Sequence, residues 1–256
     1  INCLLKFIPT LNKNALKIFD KAYFDFYPYL LKYLPLTKMK NKKILEIGPG
    51  YGSVAQKIMS IKKTKYISID VANGPIQIIK KRAKRIDKKV YAFKGDILYI
   101  ENLNKNSFDY VIAIGSLHHS GNLKLAINKC YDLLKKNGQL IGMVYSAFSY
   151  RRWFFNLYAT LKFLNNVEET IYELSNLQKG FYDKDSKGNS PPSTEFSSKS
   201  RIIKLCNKFN HVHTNYENIT NIGLLNKFFG NSVRNAMLKS IFTKYFGLDL
   251  YFRAIK

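Results

Sequence analysis

Apolar residues recur at steps of three and four over the first part of the chain, a spacing that predicts one buried face of a helix. This stripe is rich in aromatic side chains and runs from Leu16 to Leu34. Pro28 interrupts it, and because proline breaks the hydrogen-bond ladder of a helix, we expect two helices here. The N-terminal helical segment (residues 1–40) is predicted to pack on the body of the protein; a share in covering a bound ligand is the alternative.

After residue 40, short apolar runs alternate with helical patterns, which predicts an α/β protein built from βαβ units. The fourth of the predicted strands has a continuous apolar core, typical of burial on both faces of a parallel sheet. Among the helices, the one over residues 122–136 is expected to end at the cationic, glycine-containing sequence 135–138. The predicted strands are Ile44–Ile47, Lys65–Val71, Val90–Lys94, Phe108–Gly115, Gln139–Ser146, Val212–Ile219 and Asp249–Lys256.

A glycine-rich turn follows the first predicted strand, with Gly48, Gly50 and Gly52 at alternate positions. Glycines let the backbone turn tightly and approach a ligand closely, and the next helix begins with free N–H groups. The dinucleotide fingerprint needs its third glycine one position later. Glu46, two residues before the turn, disfavours a pyrophosphate and suits a ligand that carries an ammonium group.

Polar residues also follow the next three predicted strands. Asp70, about twenty residues after the glycines, is placed to accept hydrogen bonds from a ribose diol; a helix N-cap is its alternative role. Asp96 lies in a Gly-Asp-Ile sequence that would alone be interpreted as a turn. His118 and His119 follow the fourth strand, and ligands of open α/β sheets bind beyond the carboxyl ends of strands.

Five features follow one another along the chain: the acidic residue Glu46 with G-x-G-x-G, then Asp70, then Asp96, then the sequence FDxVxAxxxLHH, and finally LLKKNG followed by a strand. In this order they resemble the motifs of class I S-adenosylmethionine-dependent methyltransferases, the type 11 family in particular. The match covers residues 42–146. It implies a doubly wound, Rossmann-like sheet of seven mostly parallel strands with an antiparallel last strand, and S-adenosyl-L-methionine as the cofactor. In the family the acid after the third strand contacts the adenine amino group and its apolar neighbour flanks the ring. The implied cofactor-binding residues are Glu46, Gly48, Gly50, Gly52, Asp70, Asp96, Ile97 and Ile114.

The resemblance predicts methyl transfer to a small-molecule or lipid/glycan-precursor acceptor. The cofactor supplies the reactivity in such a displacement, so the protein must align the groups and, in some cases, remove a proton. His118 and His119 are the candidates for a general base or for substrate positioning, because histidine titrates near neutral pH. Tyr145 and Arg151 are candidate substrate residues. A metal site at His211 and His213 is not predicted, because no third ligand is evident.

Around the predicted cofactor-binding core (residues 41–148) the chain divides into further parts. Residues 149–200 form a predicted helical insertion and polar loop, expected to cover the substrate. Residues 201–256 are predicted to complete the core with two strands and a helical insertion. Those late strands suit an antiparallel hairpin, although an edge strand with other partners is also compatible.

The net charge of +25 raises two other hypotheses, nucleic-acid binding and binding to an anionic membrane surface. The lysines are spread along the whole chain, a bias that AT-rich coding produces without selection for binding, so neither is favoured. The densest run, residues 80–89, is predicted to lie on a solvated helix face. A polyanion-binding protein with a methyltransferase fold and a nucleotide-dependent oxidoreductase are the alternative functions.

Three widely spaced cysteines, Cys3, Cys130 and Cys206, predict neither a disulfide framework nor a metal site. This cysteine pattern fits a reducing compartment, and we therefore expect a cytoplasmic protein. No apolar run approaches the length of a membrane span.

Overall fold

The computed structural model describes residues 13–155, 157–158, 160–161, 193–220 and 231–256. Within them lies a seven-stranded sheet with the strand order β3-β2-β1-β4-β5-β7-β6. β1 to β5 pair in parallel, whereas β7 runs antiparallel to both β5 and β6. This is the predicted Rossmann-like sheet with its antiparallel last strand. The strands are β1 (Lys43–Ile47), β2 (Lys65–Asp70), β3 (Tyr91–Lys94), β4 (Phe108–Ile114), β5 (Leu134–Tyr145), β6 (His211–Glu217) and β7 (Asp249–Ile255).

Helices lie on both faces of this sheet. On one face, residues of α1 to α4 pack with Ile44 and Ile112; on the other, α5 and α7 pack with Leu45 and Val111. Neighbouring strand residues point to opposite faces, which is why the strands are apolar throughout. The helices are α1 (Lys13–Phe26), α2 (Leu30–Tyr33), α3 (Ser53–Met59), α4 (Asn73–Arg85), α5 (Leu123–Leu133), α6 (Tyr150–Phe155), α7 (Lys199–Leu205), α8 (Asn231–Lys239) and α9 (Ile241–Phe246).

The strand order reverses beside β1, which pairs with β2 on one side and β4 on the other. In open α/β sheets this reversal opens a crevice at the carboxyl ends of the two central strands. The glycine turn after β1 and the segment after β4 meet there: the Ser116 hydroxyl donates to the carbonyl of Ile47 at 2.7 Å. The topology therefore assembles the predicted site residues along one edge of the sheet.

The N-terminal helices pack on the body of the protein. The predicted break at Pro28 is confirmed, since α1 ends at Phe26 and α2 begins at Leu30. Leu30 and Leu34 are buried in the same cluster as the β1 residue Ile44. The aromatic stripe is therefore largely a packing surface.

The prediction for the end of α5 was wrong. The helix ends at Leu133, and β5 begins at once with Leu134, which is fully buried opposite Phe108. The ladder resumes between Tyr110 and Gln139, so residues 135–138 bulge out opposite one residue of β4. The cationic sequence thus forms a bulge inside β5. The strand already begins at Leu134, before this sequence, because Leu134 is buried against Phe108.

Part of the predicted insertion lies outside the described residues, namely 162–192, as do residues 221–230. The described end of the polar loop, residues 193–198, is mostly buried, and it leads into α7. Ser146 of the sheet edge forms a bridge with Ser197 of this segment. In the part of the chain that is described, no helix combines the length and apolarity that a membrane crossing requires.

Candidate cofactor and acceptor site

The glycine turn is held in a left-handed conformation that favours glycine. Gly48, Gly50 and Gly52 have φ angles of 69°, 52° and 77°. A Cβ on Gly48 would lie 2.5 Å from the Cβ of Ser116, whereas a Cβ on Gly50 would meet no atom within 4 Å. Gly48 is therefore required for the close contact between the two strand ends. Gly50 faces open space, where a ligand can approach the backbone.

Glu46 is buried at the end of β1, on the sheet face covered by α1 and α3. Its Oε2 accepts a hydrogen bond of 2.5 Å from the hydroxyl of Tyr66 on the neighbouring strand. Burial raises the pKa of Glu46 to about 7, and the hydrogen bond from Tyr66 opposes this shift. Burial thus favours the protonated form of the Glu46 carboxyl, and a cationic partner would stabilise its ionised form.

Asp70 and Asp96 follow two adjacent parallel strands. The amide of Gly95 donates to the carbonyl of Asp70 at 2.9 Å, so the two strand ends are hydrogen-bonded to each other. Oδ1 of Asp70 accepts from the amide of Ala72, and Oδ1 of Asp96 accepts from that of Leu98. Among the described residues, Oδ2 of either aspartate has no hydrogen-bond partner. These oxygens are the acceptors that a ribose diol or an adenine amino group needs.

The two predicted apolar contacts of the cofactor lie in different surroundings. Ile97 is 4% exposed and belongs to the core cluster beneath α5. Ile114, at the end of β4, is half-buried beside the opposite cluster. Ile114 is thus the more accessible of the two to a ligand in the crevice.

A buried cation behind the glycine turn escaped the sequence prediction. Arg82 of α4 is 1% exposed, although the basic run that contains it was expected to be solvated. Its Nε donates to the carbonyl of Tyr51 at 2.9 Å, and its two terminal nitrogens donate to the carboxylate of Asp20 in α1. Asp20 also accepts from the Ser53 hydroxyl at 2.6 Å. One cation therefore ties the N-terminal helix to the turn.

The predicted acceptor residues His118, His119 and Tyr145 come together at the carboxyl edge of β4 and β5. The His118 ring lies 4.0 Å from that of His119 and 4.3 Å from that of Tyr145. Nδ1 of His119 lies 3.1 Å from both the Ser193 carbonyl and the Thr194 hydroxyl. The end of the polar loop is thus in direct contact with the predicted acceptor site.

The two histidines differ in environment. His118 is fully buried, and neither ring nitrogen forms a hydrogen bond of normal geometry with the described residues. Burial, with a contribution from His119, holds the pKa of His118 well below its usual value; the Met143 carbonyl opposes this. His119 is half-buried and lies closer to solvent. His118 is therefore a neutral ring, and His119 is the more accessible of the pair.

A buried ion pair fixes the loop behind these histidines, and it too was not foreseen. Arg201 of α7 donates to Oε2 of Glu195 at 2.8 Å, with both side chains less than 5% exposed. The second oxygen of Glu195 accepts from the amide of Leu123, and the Glu195 amide donates to the carbonyl of His118. Glu195 precedes α7 by four residues, and nothing in that sequence position indicates a contact with Leu123 and His118, which lie more than 70 positions earlier.

Arg151 lies apart from the histidine pair. Its guanidinium donates to the hydroxyl of Thr220, beyond the end of β6, at 2.7 Å. The Tyr150 hydroxyl lies 2.7 Å from the same Thr220 oxygen. The structure thus brings three of the four predicted acceptor residues together and places Arg151 towards the β6 end of the sheet edge.

Comparisons with known proteins identify the type of domain in which these residues lie. Residues 45–140 match the model of a family described as a methyltransferase domain. A hybrid PKS-NRPs synthetase, opdA, from Penicillium oxalicum is 31% identical over an alignment of 111 residues, and the match covers 41% of this chain. The match spans only 3% of that much longer protein.

Solved structures show the same fold. A SAM-dependent methyltransferase from Thermotoga maritima, described as a possible histamine N-methyltransferase, has a TM-score of 0.51 and 15% identity, covering 91% of this chain and 98% of its own. The CurJ carbon methyltransferase has a TM-score of 0.51 and 15% identity, covering 85% of this chain and 49% of its own. Domain and fold imply S-adenosylmethionine as the cofactor. The chain therefore contains, at residues 45–140, a methyltransferase domain with the class I S-adenosylmethionine-dependent fold.

Proposed function

We propose that this protein transfers a methyl group from S-adenosylmethionine to a small-molecule or lipid/glycan-precursor acceptor. The observation that carries the proposal is the open, left-handed turn at Gly50 next to two aspartates, Asp70 and Asp96. Each has one carboxylate oxygen without a partner among the described residues. When bound, the cofactor supplies an electrophilic methyl group.

Each cofactor contact is assigned on the chemistry of the residue present. Asp70 binds the ribose diol, and Asp96 accepts from the adenine amino group. Glu46 lies behind the turn and favours the ammonium group, since a nearby cation lowers the pKa of a buried carboxyl. Gly48, Gly50 and Gly52 leave the backbone accessible, and the half-buried Ile114 contributes an apolar wall. Ile97, the neighbour of Asp96, is assigned to the flank of the adenine ring.

The acceptor is proposed to lie against His119 and Tyr145, covered by residues 149–200. His119 receives a proton or orients the acceptor, because it is half-buried and contacts the described end of that segment. His118 supports it as a neutral buried ring. Arg151 at the β6 end suits an acidic group on a larger acceptor. The neighbour described as a possible histamine N-methyltransferase supports a small acceptor, and the CurJ carbon methyltransferase leaves the choice between nitrogen and carbon open.

Calorimetry with S-adenosylhomocysteine tests the cofactor assignment. We expect binding by the wild type, a loss of at least tenfold in affinity for Asp70→Ala, and little change for Glu101→Ala, an exposed acid elsewhere on the surface. Binding of NADH in place of S-adenosylhomocysteine would instead support the oxidoreductase alternative. Equal affinities of wild type and Asp70→Ala would refute the ribose contact.

A product screen by mass spectrometry identifies the acceptor. The wild-type protein is incubated with S-adenosylmethionine and metabolite or lipid extracts, and products heavier by one methylene unit are sought. His119→Ala should lower turnover while the affinity for S-adenosylhomocysteine stays the same. A variant that loses both would place His119 in the cofactor site rather than the acceptor site.

We also propose a cytoplasmic location. Of the described residues, Cys130 and Cys206 are free and buried, as expected where thiols remain reduced.

A further inference from the structure

A second concave site lies at the opposite edge of the sheet from the glycine turn. This cavity has a volume of about 810 Å³ and is formed at the amino-terminal ends of β1, β2 and β3 with the loops that lead into them. The connection from β3 to β4, residues 95–107, contains turns but no helix. One face of β2 and β3 is therefore not covered by a helix from that connection, and the cavity opens beside it.

Five of the thirteen lining residues are lysines, and none is acidic. Lys63, Lys65 and Lys89 are exposed, and within the described chain none of the three forms an ion pair with a carboxylate. Burial lowers the pKa of Lys43, with Lys135 and Lys65 adding to the effect and Asp109 opposing it. Lys63, Lys65 and Lys89 thus place positive charge at the cavity that no ion pair within the described chain compensates.

The floor of the cavity is apolar and aromatic. Ile67, Phe93 and Leu103 line it, and the ring of Tyr91 on the edge strand β3 is 75% exposed. An exposed aromatic ring in a cavity that is also lined by lysines is the arrangement on which nucleic-acid bases stack while phosphates contact the cations. Membrane-surface binding buries a continuous apolar face instead, whereas Ile67, Phe93 and Leu103 line a cavity.

The positive surface continues away from the cavity. Lys88 and Lys89 line it, and they follow α4, on which Lys80 and Lys84 are exposed. A nucleic-acid strand that leaves the cavity past Lys88 and Lys89 would reach the exposed lysines of α4. This continuity distinguishes the surface from an isolated pocket for a single free nucleotide.

We propose that this cavity and the adjoining exposed lysines of α4 bind single-stranded nucleic acid, with a base stacked on Tyr91 and backbone phosphates on Lys63, Lys65 and Lys89. The site lies at the sheet edge opposite the cofactor turn. It holds a strand without displacing the cofactor, and the proposal stands whether or not the chain methylates a small acceptor.

Fluorescence anisotropy with a labelled oligouridylate tests this proposal on the full chain. The variant Lys63→Glu/Lys65→Glu/Lys89→Glu should bind at least about tenfold more weakly. Its log–log salt slope should be about 2 smaller, for three lost contacts to a single strand. The control Lys17→Glu/Lys124→Glu/Lys244→Glu changes the net charge equally at exposed residues outside the cavity and should lose far less affinity.

Tyr91→Ala tests the stacking contact without changing the charge. We expect at least about a fivefold loss of affinity and an unchanged salt slope. Tyr245→Ala, at a 62% exposed tyrosine of α9, should bind like the wild type. Because Tyr91 is so exposed, this variant should fold normally, and circular dichroism checks that both variants do.

Three results would overturn the proposal. The first is equal weakening by the cavity and control triple variants, which would assign binding to diffuse net charge. The second is an absence of oligouridylate binding at low salt. The third is stronger binding of the wild type to anionic phosphatidylserine vesicles than to the oligonucleotide, with the same dependence on Tyr91. Affinity for S-adenosylhomocysteine should be unchanged in every variant, which separates this test from that of the methyltransferase assignment.

Discussion

The guanidinium of Arg82 donates to both carboxylate oxygens of Asp20, at 2.8 and 2.9 Å, although the two residues lie 62 positions apart. Arg82 is 1% exposed, and its Nε donates to the carbonyl of Tyr51 in the glycine turn. A buried cation tolerates the loss of its anion poorly. The N-terminal helix therefore supports the glycine turn, the proposed cofactor site, although it precedes the domain that the family model matches.

Asp20→Asn should destabilise the fold and weaken cofactor binding. The substitution leaves Arg82 buried with a neutral partner, so we expect a loss of about 2–3 kcal/mol in the free energy of unfolding. Because Asp20 also accepts from Ser53 next to the turn, affinity for S-adenosylhomocysteine should fall as well. Urea denaturation and calorimetry measure the two effects.

Asp25→Asn is the matched control on the same helix. Asp25 pairs with Lys21, but both side chains are more than 60% exposed, so the loss of stability should be far smaller than for Asp20→Asn. If both substitutions cost the same, the buried link to the glycine turn contributes nothing specific.

Gly50→Ala should impair cofactor binding more than it impairs folding. With φ at 52° the alanine is strained by about 1 kcal/mol, which the fold can tolerate. Its methyl group, however, projects into open space beside the turn, where the ligand is expected. Affinity for S-adenosylhomocysteine should fall by at least about tenfold, or about 1.4 kcal/mol.

Gly74→Ala provides the comparison for Gly50→Ala. A Cβ on Gly74 would likewise meet no atom within 4 Å, but the φ of Gly74 is not positive and the residue lies in the first turn of α4. Alanine there should leave binding unchanged and leave stability equal or slightly higher. If Gly74→Ala also weakened the binding of S-adenosylhomocysteine, the effect of Gly50→Ala could not be assigned to the glycine turn.

Sequence reasoning located the sheet and the glycine turn because their signals are local. Apolar runs give the strands, and a glycine at a left-handed position such as Gly50 is visible in the sequence itself. The start of β5 was missed because burial of Leu134 against Phe108 depends on a strand 26 positions away. Local signals for the end of a helix do not contain that contact.

Arg82 was missed for a related reason, although a signal existed. It stands in a basic run that resembles a solvated face, yet it follows Ile79 by three residues and precedes the buried Ala83. Helical spacing thus assigns it to the buried face, where a cation needs an anion. The identity of that anion, Asp20, depends on how α1 packs and could not be predicted from the sequence.

Glu46→Gln should stabilise the protein at alkaline pH and not at acidic pH. Burial raises the pKa of Glu46 from 4.5 to about 7, so the folded state binds the proton more tightly than the unfolded state. Wild-type stability is therefore fully present below pH 4.5 and is lost as the pH rises towards 7. At pH above 7 the glutamine variant should be more stable by about 1–3 kcal/mol, since it still accepts from Tyr66 without carrying charge.

The same variant tests the role of Glu46 towards the cofactor. If the carboxylate favours an ammonium group, Glu46→Gln should bind S-adenosylhomocysteine more weakly while unfolding at higher urea concentration. Calorimetry measures the affinity for S-adenosylhomocysteine, and unfolding followed across the pH range measures the stability. A variant that is both more stable and equally tight in binding would restrict Glu46 to its hydrogen bond with Tyr66.

His118→Leu should make the stability of the protein less sensitive to acid. Burial lowers the pKa of His118 below 6.5, so the unfolded state takes up the proton first. Wild-type stability is then complete above the unfolded pKa and falls as the pH drops below it, by up to about 1.4 kcal/mol per pH unit. Leucine removes the titrating ring and keeps the site apolar.

Urea midpoints of His118→Leu compared between pH 7.5 and 5.5 should show a smaller fall than those of the wild type. The control His211→Gln, at an exposed position of β6, should show the same fall as the wild type. Equal acid sensitivity of wild type and His118→Leu would show that another group controls the transition.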